Sequence, residues 1–289
     1  MVLSSVISGN LSGFKGEKRL FGIKCDKLLF VLSSWISGFI VGPMHLAENN
    51  DNEDITDYVI LTSNAGIGFT VFYIGYTLWN SILFGIILFV LQLLSSIILF
   101  TVGKRKSDFV LSNKKSSVIN SVTDSVRTST KSVLEMCGFT VFFSVIHKIV
   151  SVAFSIPAKG LFSNILSSLL DISRGTYASV QLEGRLACGF FTGFTLGFGG
   201  LCMCFQTFSV CRRAKLKKTV FVTKKLLQGV ICGLGGAALV YFMDLAPVRS
   251  VILEVEDNNI ISHSLVFALF TVSTIFCIKK HLKRKIISK

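Results

Sequence analysis

The sequence predicts an all-α polytopic membrane protein of inverted repeats, with broken helices, re-entrant hairpins and about six full spans. Three observations predict it. Mean hydropathy is +0.66, and 26 of the 289 residues are Phe, a load that soluble domains of this length rarely carry. The basic residues, which raise the formal charge to +14, sit in blocks between apolar stretches. The positive-inside rule accounts for such blocks, so they call for no nucleic acid. Finally, SGFIVGPMHLAE (37–48) and GFGGLCMCFQ (197–206) each break at glycines and run into a charged loop, the first acidic and the second basic. A broken apolar helix in each half, with flanks on opposite sides of a membrane, is what an inverted-repeat transporter needs at its substrate site.

Residues 1–27 hold no long apolar core with a cleavage site, so they read as a polar N-terminal segment rather than a signal peptide. Apolar windows of bilayer-crossing length follow at 28–46, 81–102, 133–155, 186–210, 220–243 and 264–278. Two further stretches differ: 58–80 is interrupted by SNAGIGF (63–69), and 161–180 carries LLDISRGTY (169–177), with two charges and a glycine at its middle. Basic loops at 104–131 and 212–225 and a basic tail at 279–285 are expected in the cytoplasm, together with the C-terminus. The acidic loops at 48–57 and 254–257 then fall outside. Six spans satisfy this alternation only if both interrupted stretches enter and leave on the outer side, so 58–80 is expected to be re-entrant or unwound. The domain plan is therefore a first repeat at 28–103, a basic cytoplasmic loop at 104–132, a second repeat at 133–243, and an outer loop, last span and basic tail at 244–289.

Irregular backbone at membrane depth survives only where protein or a water-filled cavity satisfies its polar groups, so several breaks in one chain imply a shared polar interior. Close helix packing is the alternative use of such glycines. Asp171 and Arg174 are ionisable groups inside an apolar stretch, costly there unless paired, hydrated or functional. Their spacing lets them pair if that segment is helical. Otherwise Asp171 faces a substrate or a cation, and the turn at Gly175 offers backbone N–H groups to an anionic or polar ligand. Gln206 and Asn64 lie beside glycine breaks, and an amide can both donate and accept, to a ligand or to a neighbouring helix. His147 and Lys148 are adjacent on a helix and so point about 100 degrees apart. The eight cysteines form no CxxC pair and read as small interior residues, not as a zinc site or disulfide framework. No GxSxG, HExxH or P-loop is present, and neither a catalytic, a metal nor a cofactor site is expected.

With these residues in view, GFGGLCMCFQTFSV (197–210), with ILSSLLDISRG upstream and KKLLQGV (224–230) downstream, resembles the second repeat of the YlbJ-type sporulation integral membrane proteins, in the nucleoside-recognition or Gate-domain group. In the first half, SGFIVGPMHLAE and ITDYVILTSNAGIGF resemble that family's glycine-proline segment and its sNaGpaF helix. The resemblance covers about residues 20–245. The group is similar to concentrative nucleoside transporters, in which each inverted repeat combines a re-entrant hairpin with a broken helix around a midplane site. The resemblance thus implies a hairpin tip at Asp171, Ser173 and Gly175, a second broken helix at Gly199, Gly200 and Gln206, and a first broken helix at Ser37, Gly38 and Gly42. It also implies that the family's N-terminal helices are missing, with residues 1–27 a remnant of the first hairpin.

What this implies in function is passage of a small polar or anionic metabolite, most directly dipicolinate, across a bacterial cell membrane or the membranes around the forespore. The expected partners are the lipid bilayer and a small-molecule substrate, with a second copy of the chain or a sporulation membrane protein beside them. A non-transporting scaffold in spore-envelope assembly is the alternative if the first hairpin is incomplete. A nucleoside carrier rests on fold analogy alone.

Overall fold

The computed structural model describes residues 19–20, 23–50, 53–102, 118–157 and 160–248. The expected span at 264–278 and the acidic 254–257 lie outside them. Apart from a two-residue antiparallel ladder, β1 (Arg19–Leu20) with β2 (Ile23–Lys24), the described elements are helical. They are α1 (Cys25–Ser37), α2 (Val41–Asn49), α3 (Thr56–Thr62), a π-helix (Gly68–Leu78), α4 (Ile82–Val102), α5 (Val118–Ala153), α6 (Leu161–Leu170), α7 (Ile172–Val180), α8 (Arg185–Phe198), α9 (Gly200–Val210) and α10 (Lys218–Met243). Four stretches are long and apolar enough to cross a membrane: Ile82–Val102, Val133–Ala153, Arg185–Val210 and Lys218–Met243. This is a helical protein of membrane-spanning character.

The exposure of α4 shows the same character from the inside out. Leu83, Ile86, Val90, Leu94 and Ile98 form one exposed stripe, whereas Gln92, Ser95 and Ser96 are buried. A helix in water would reverse that pattern. Turning the apolar stripe to lipid and the polar residues to the bundle satisfies both.

The first apolar window is not a single helix. Gly38, at φ +95°, takes a left-handed conformation that a side chain would resist. The chain reverses there: Phe30 meets His45 edge to face at 6.4 Å, and a Cβ on Gly42 would lie 2.9 Å from Ser34 Oγ. Residues 25–49 are thus a hairpin with its tip at Gly38–Ile40, and arms of 13 and 9 residues reach only about 20 and 14 Å at 1.5 Å per residue. This corrects the expected single span at 28–46; most of the expected hairpin remnant at 1–27 lies outside the described residues. The hairpin is the segment that had read as the first broken helix.

The interrupted stretch 58–80 is correspondingly no hairpin. Tyr58 packs tilted against Phe100 with ring centroids 5.1 Å apart, Asn64 Nδ2 donates to Ser96 Oγ at 3.2 Å, and a Cβ on Gly75 would lie 2.7 Å from Gly85 Cα. These three contacts place α3, the non-helical 63–66 and the π-helix antiparallel along α4 from end to end. The segment is unwound in the middle, as expected, and runs along α4 rather than doubling back.

The second half repeats this order of elements. Asn164 Nδ2 donates to Ser179 Oγ at 3.3 Å, and Gly175 packs on Ser168, so α6 and α7 form a hairpin with its tip at Asp171. The broken pair α8–α9 follows, with Gly199 and Gly200 at φ +81° and +78°. Then comes α10, antiparallel to α8. Gly189, Gly193 and Gly197 lie against Gly236, Cys232 and Gln228 in strict reverse order, and a Cβ on Gly197 would come 2.7 Å from Gln228 O. Gly197 is therefore a packing glycine, which lets two helix backbones approach.

The ends of the bundle are distinguishable. At one end Lys217 Nζ donates to Asp54 Oδ2 and Lys224 Nζ to Asp57 Oδ1, each at 2.6 Å. There Lys215 N also donates to Glu53 O at 3.0 Å and Ile55 N to Lys215 O at 3.2 Å. Burial alone would raise the Asp54 carboxyl, but hydrogen bonds from Lys217 and Thr56 outweigh it and hold the group below its usual range. The acidic loop at 48–57 and the basic loop at 212–225, expected on opposite sides, are thus laced together at one end. The hairpin 25–49 opens at this basic end. At the far end Arg185 Nη1 donates to Asp244 Oδ1 at 2.5 Å, and the hairpin 161–180 leads into Arg185 there.

Candidate functional site

Two hairpin tips and two helix breaks meet inside the bundle. A Cβ on Gly66 would stand 3.4 Å from Gly38 Cα, so the first tip lies on the first break. A Cβ on Gly200 would stand 2.9 Å from Leu170 O and 3.0 Å from Asp171 N, so the second tip lies on the second break. A Cβ on Gly199 would stand 3.3 Å from a ring carbon of Phe39, which joins the second break to the first tip.

At the second tip Asp171 is buried and extended, at φ −145° and ψ 137°. Its Oδ2 accepts the Arg174 backbone N–H at 3.0 Å, an N-cap that starts α7. The expected Asp171–Arg174 ion pair does not form, because the Arg174 guanidinium goes to His147 Nδ1 at 2.7 Å. An arginine only donates, so Nδ1 accepts and the ring's N–H is at Nε2, facing Ser167 Oγ at 3.0 Å. His147 is buried and Lys148 exposed, on different faces of α5 as helix geometry requires. Beside Asp171, Gln206 Nε2 donates to Cys202 Sγ at 3.2 Å, and the same thiol faces Asp171 and Thr140. The buried Gln206 Oε1 has no partner among the described residues, and neither have Thr192 Oγ1 and Thr195 Oγ1 on α8. A solute with donor groups could satisfy that amide oxygen, and either hydroxyl can donate or accept.

The glycines of this tip divide by role. Gly175 N donates to Asp171 O at 2.9 Å, and its α-carbon packs on Ser168 and Thr195. It is a close-approach residue rather than an exposed anion cradle. Ser173 and Arg174 are exposed at the tip, while Gly199 and Gly200 form the backbone bend against Asp171.

At the first break the polar groups are tied to one another. Asn64 Nδ2 donates to Leu61 O at 2.8 Å as well as to Ser96, and Asn64 Oδ1 accepts from Gln228 Nε2 at 2.9 Å. The same Gln228 nitrogen donates to Gln92 O at 3.0 Å, and Gln92 Nε2 to Leu196 O at 3.3 Å, just before the second break. Lys225, 2% exposed, donates from Nζ to Ser63 O and, at 2.9 Å, to Gln228 Oε1. Asn64 therefore serves the interhelical network. Ser37 returns its hydroxyl to Ser33 O at 2.8 Å, and Gly42 packs against Thr62, so neither opens toward the interior.

Of the residues singled out in the sequence, the structure gathers Asp171, Gly199, Gly200 and Gln206 around the second break and sets Gly38 against Gly66, in the break that begins beside Asn64. Sequence reasoning did not find every group. It missed Lys225, Gln228 and Gln92. Their signal was present: Lys225 and Gln228, three residues apart in KKLLQGV, share one face of an apolar helix. Five cysteines, Cys188, Cys202, Cys204, Cys211 and Cys232, are buried free thiols, in keeping with an interior packing role. Among the described residues no three His, Cys, Asp or Glu side chains gather as metal ligands. No protein-family model matches the chain, and no match is found among curated proteins or solved structures.

Proposed function

We propose that this protein is a membrane transporter or facilitator for a small polar or anionic solute, working around the tips and breaks described above. One observation carries the reading: two short hairpins enter from opposite ends of the bundle, and each tip lies against a broken helix. Hairpin, broken helix and unbroken helix recur in the second half, an order we read as the inverted repeat of an alternating-access carrier. Hairpins that stop half-way create irregular backbone at depth, which is sustained only around a protein-lined or watered interior. The basic end is the cytoplasmic one by the positive-inside rule.

The solute contacts we assign are Asp171, Gln206, Gly199 and Gly200, with Arg174 as the cationic group at the tip. Dipicolinate is the anionic candidate that the family resemblance supplies, and a forespore membrane is the corresponding location. The test is uptake of labelled dipicolinate into proteoliposomes by the parent chain and by Asp171→Asn and Gln206→Ala. We expect uptake by the parent above protein-free vesicles and at least a tenfold loss in each variant, on the order of 1.4 kcal/mol of lost stabilisation. Undiminished uptake in both variants would remove the site. Competition by nucleosides but not dicarboxylates would redirect the substrate class.

A further inference from the structure

A buried ammonium ordinarily has a carboxylate beside it, because an unpaired charge removed from water is costly. Lys225 forms no ion pair among the described residues. Its Nζ instead meets the Ser63 carbonyl of the unwound 63–66 segment, Gln228 Oε1 at 2.9 Å, and the face of Phe39 with the ring centroid 5.7 Å away. The other titratable groups near it are thiols, Cys204 from α9 and Cys232 from α10 itself. A freed main-chain carbonyl, an amide oxygen and an aromatic face are the partners of a small monovalent cation, and unwound carbonyls at a transporter's midplane commonly coordinate one.

We infer that Ser63 O, Gln228 Oε1 and the Phe39 ring form a monovalent-cation site whose resident cation is the chain's own Lys225 ammonium. Three elements converge on it. Ser63 belongs to the first break, Phe39 to the first hairpin tip, and Lys225 with Gln228 to α10. Phe39 also touches Gly199, so the tethered cation links tip and both breaks. Where an exchangeable ion would bind and leave during each cycle, this one stays. The first break therefore keeps its charge without sodium. Naming it a coupling position rests on the transport reading, whereas the site itself does not.

The test is thermal unfolding of the purified full chain in detergent, in sodium, lithium, potassium and choline chloride at equal ionic strength. The parent should melt at one temperature in all four. Lys225→Ala should melt several degrees lower in choline, and sodium or ethylammonium should restore it saturably, because the truncated side chain leaves oxygen ligands and space. Lys225→Met keeps the stem but not the charge, so it should be destabilised without rescue by either cation. A saturable rise of the parent with sodium would overturn the proposal. So would a Lys225→Met variant as stable as the parent, or a Lys225→Ala variant that neither cation restores. If neither variant folds, the parent titration decides alone, flat melting supporting the resident cation and a sodium response excluding it. None of these readouts needs flux: a chain that passes them yet moves no solute would sink the transport reading and leave the cation site standing.

Discussion

At the scale of single residues, Asp171 does two jobs that substitution can separate. Its carboxylate caps α7 through Arg174 N at 3.0 Å and also carries charge to the second break. Asparagine caps a helix about as well as aspartate, whereas alanine loses about 1 kcal/mol. Asp171→Asn should therefore melt close to the parent while losing uptake, and Asp171→Ala should lose both. A circular-dichroism melt beside the uptake assay checks this, and an Asn variant as unstable as Ala would mean that the charge, not the cap, holds the tip. Gly200 meets two constraints together, a φ of +78° and the Leu170 carbonyl 2.9 Å from any Cβ. Left-handed backbone costs a side chain roughly 1–2 kcal/mol and overpacking about 1–3 more. Gly200→Ala should thus lower the melting temperature clearly, whereas Gly68→Ala, where a Cβ meets nothing within 4 Å, should not. Melting both variants side by side decides it.

At the scale of elements, the sequence separated apolar segments from polar ones and misjudged which of them double back. Hydropathy counts apolar residues but carries no record of a reversal. The hairpin 25–49 presents two apolar arms joined by Gly38–Ile40, which a sliding window reads as one span. The segment 56–78 carries SNAGIGF at its centre and reads as interrupted, although only residues 63–66 leave the helical state. What decides between them lies in neighbours distant along the chain, such as Ser96 for Asn64 and Phe100 for Tyr58. The hairpin at Asp171 was legible because two charges and a glycine marked its tip. The ends were misassigned for a related reason, since acidic residues say little about sides and here cross to basic partners. The Asp57–Lys224 pair binds α3 to α10, with the two side chains only 16% and 20% exposed. Its worth lies between the ~0–1 kcal/mol of exposed pairs and the ~3–5 of breaking buried ones, so about 2 kcal/mol. Asp57→Lys and Lys224→Asp should each destabilise by about that amount, and the double exchange should recover much of the loss. Additive losses in a thermal double-mutant cycle would remove the pair from the account of how these helices are joined.

At the scale of the whole molecule, the corrections act together. If 25–49 is a hairpin and 56–78 a crossing, as we propose, 104–106 and 212–225 stay on one side, because one crossing is lost and one gained. The positive-inside rule that had argued against a crossing at 58–80 is then satisfied by it. Among the described residues both halves share one order of elements, hairpin, broken helix and unbroken helix, with Gly38 and Asp171 at the hairpin tips and 63–66 and Gly199–Gly200 at the breaks. The outcome that distinguishes this topology from the original expectation is the side on which the acidic loop lies. Glu53, Arg213 and Glu183 are exposed, the first two at the basic end and the third at the other. With Glu53→Cys, Arg213→Cys and Glu183→Cys made singly, an impermeant maleimide applied to intact cells should label only the Glu183→Cys chain above the parent. Inside-out vesicles should give the converse, Glu53→Cys and Arg213→Cys together. Labelling of Glu53→Cys from the outside, with Arg213→Cys protected, would pull the two loops to opposite faces. The hairpin 25–49 would then have to cross after all.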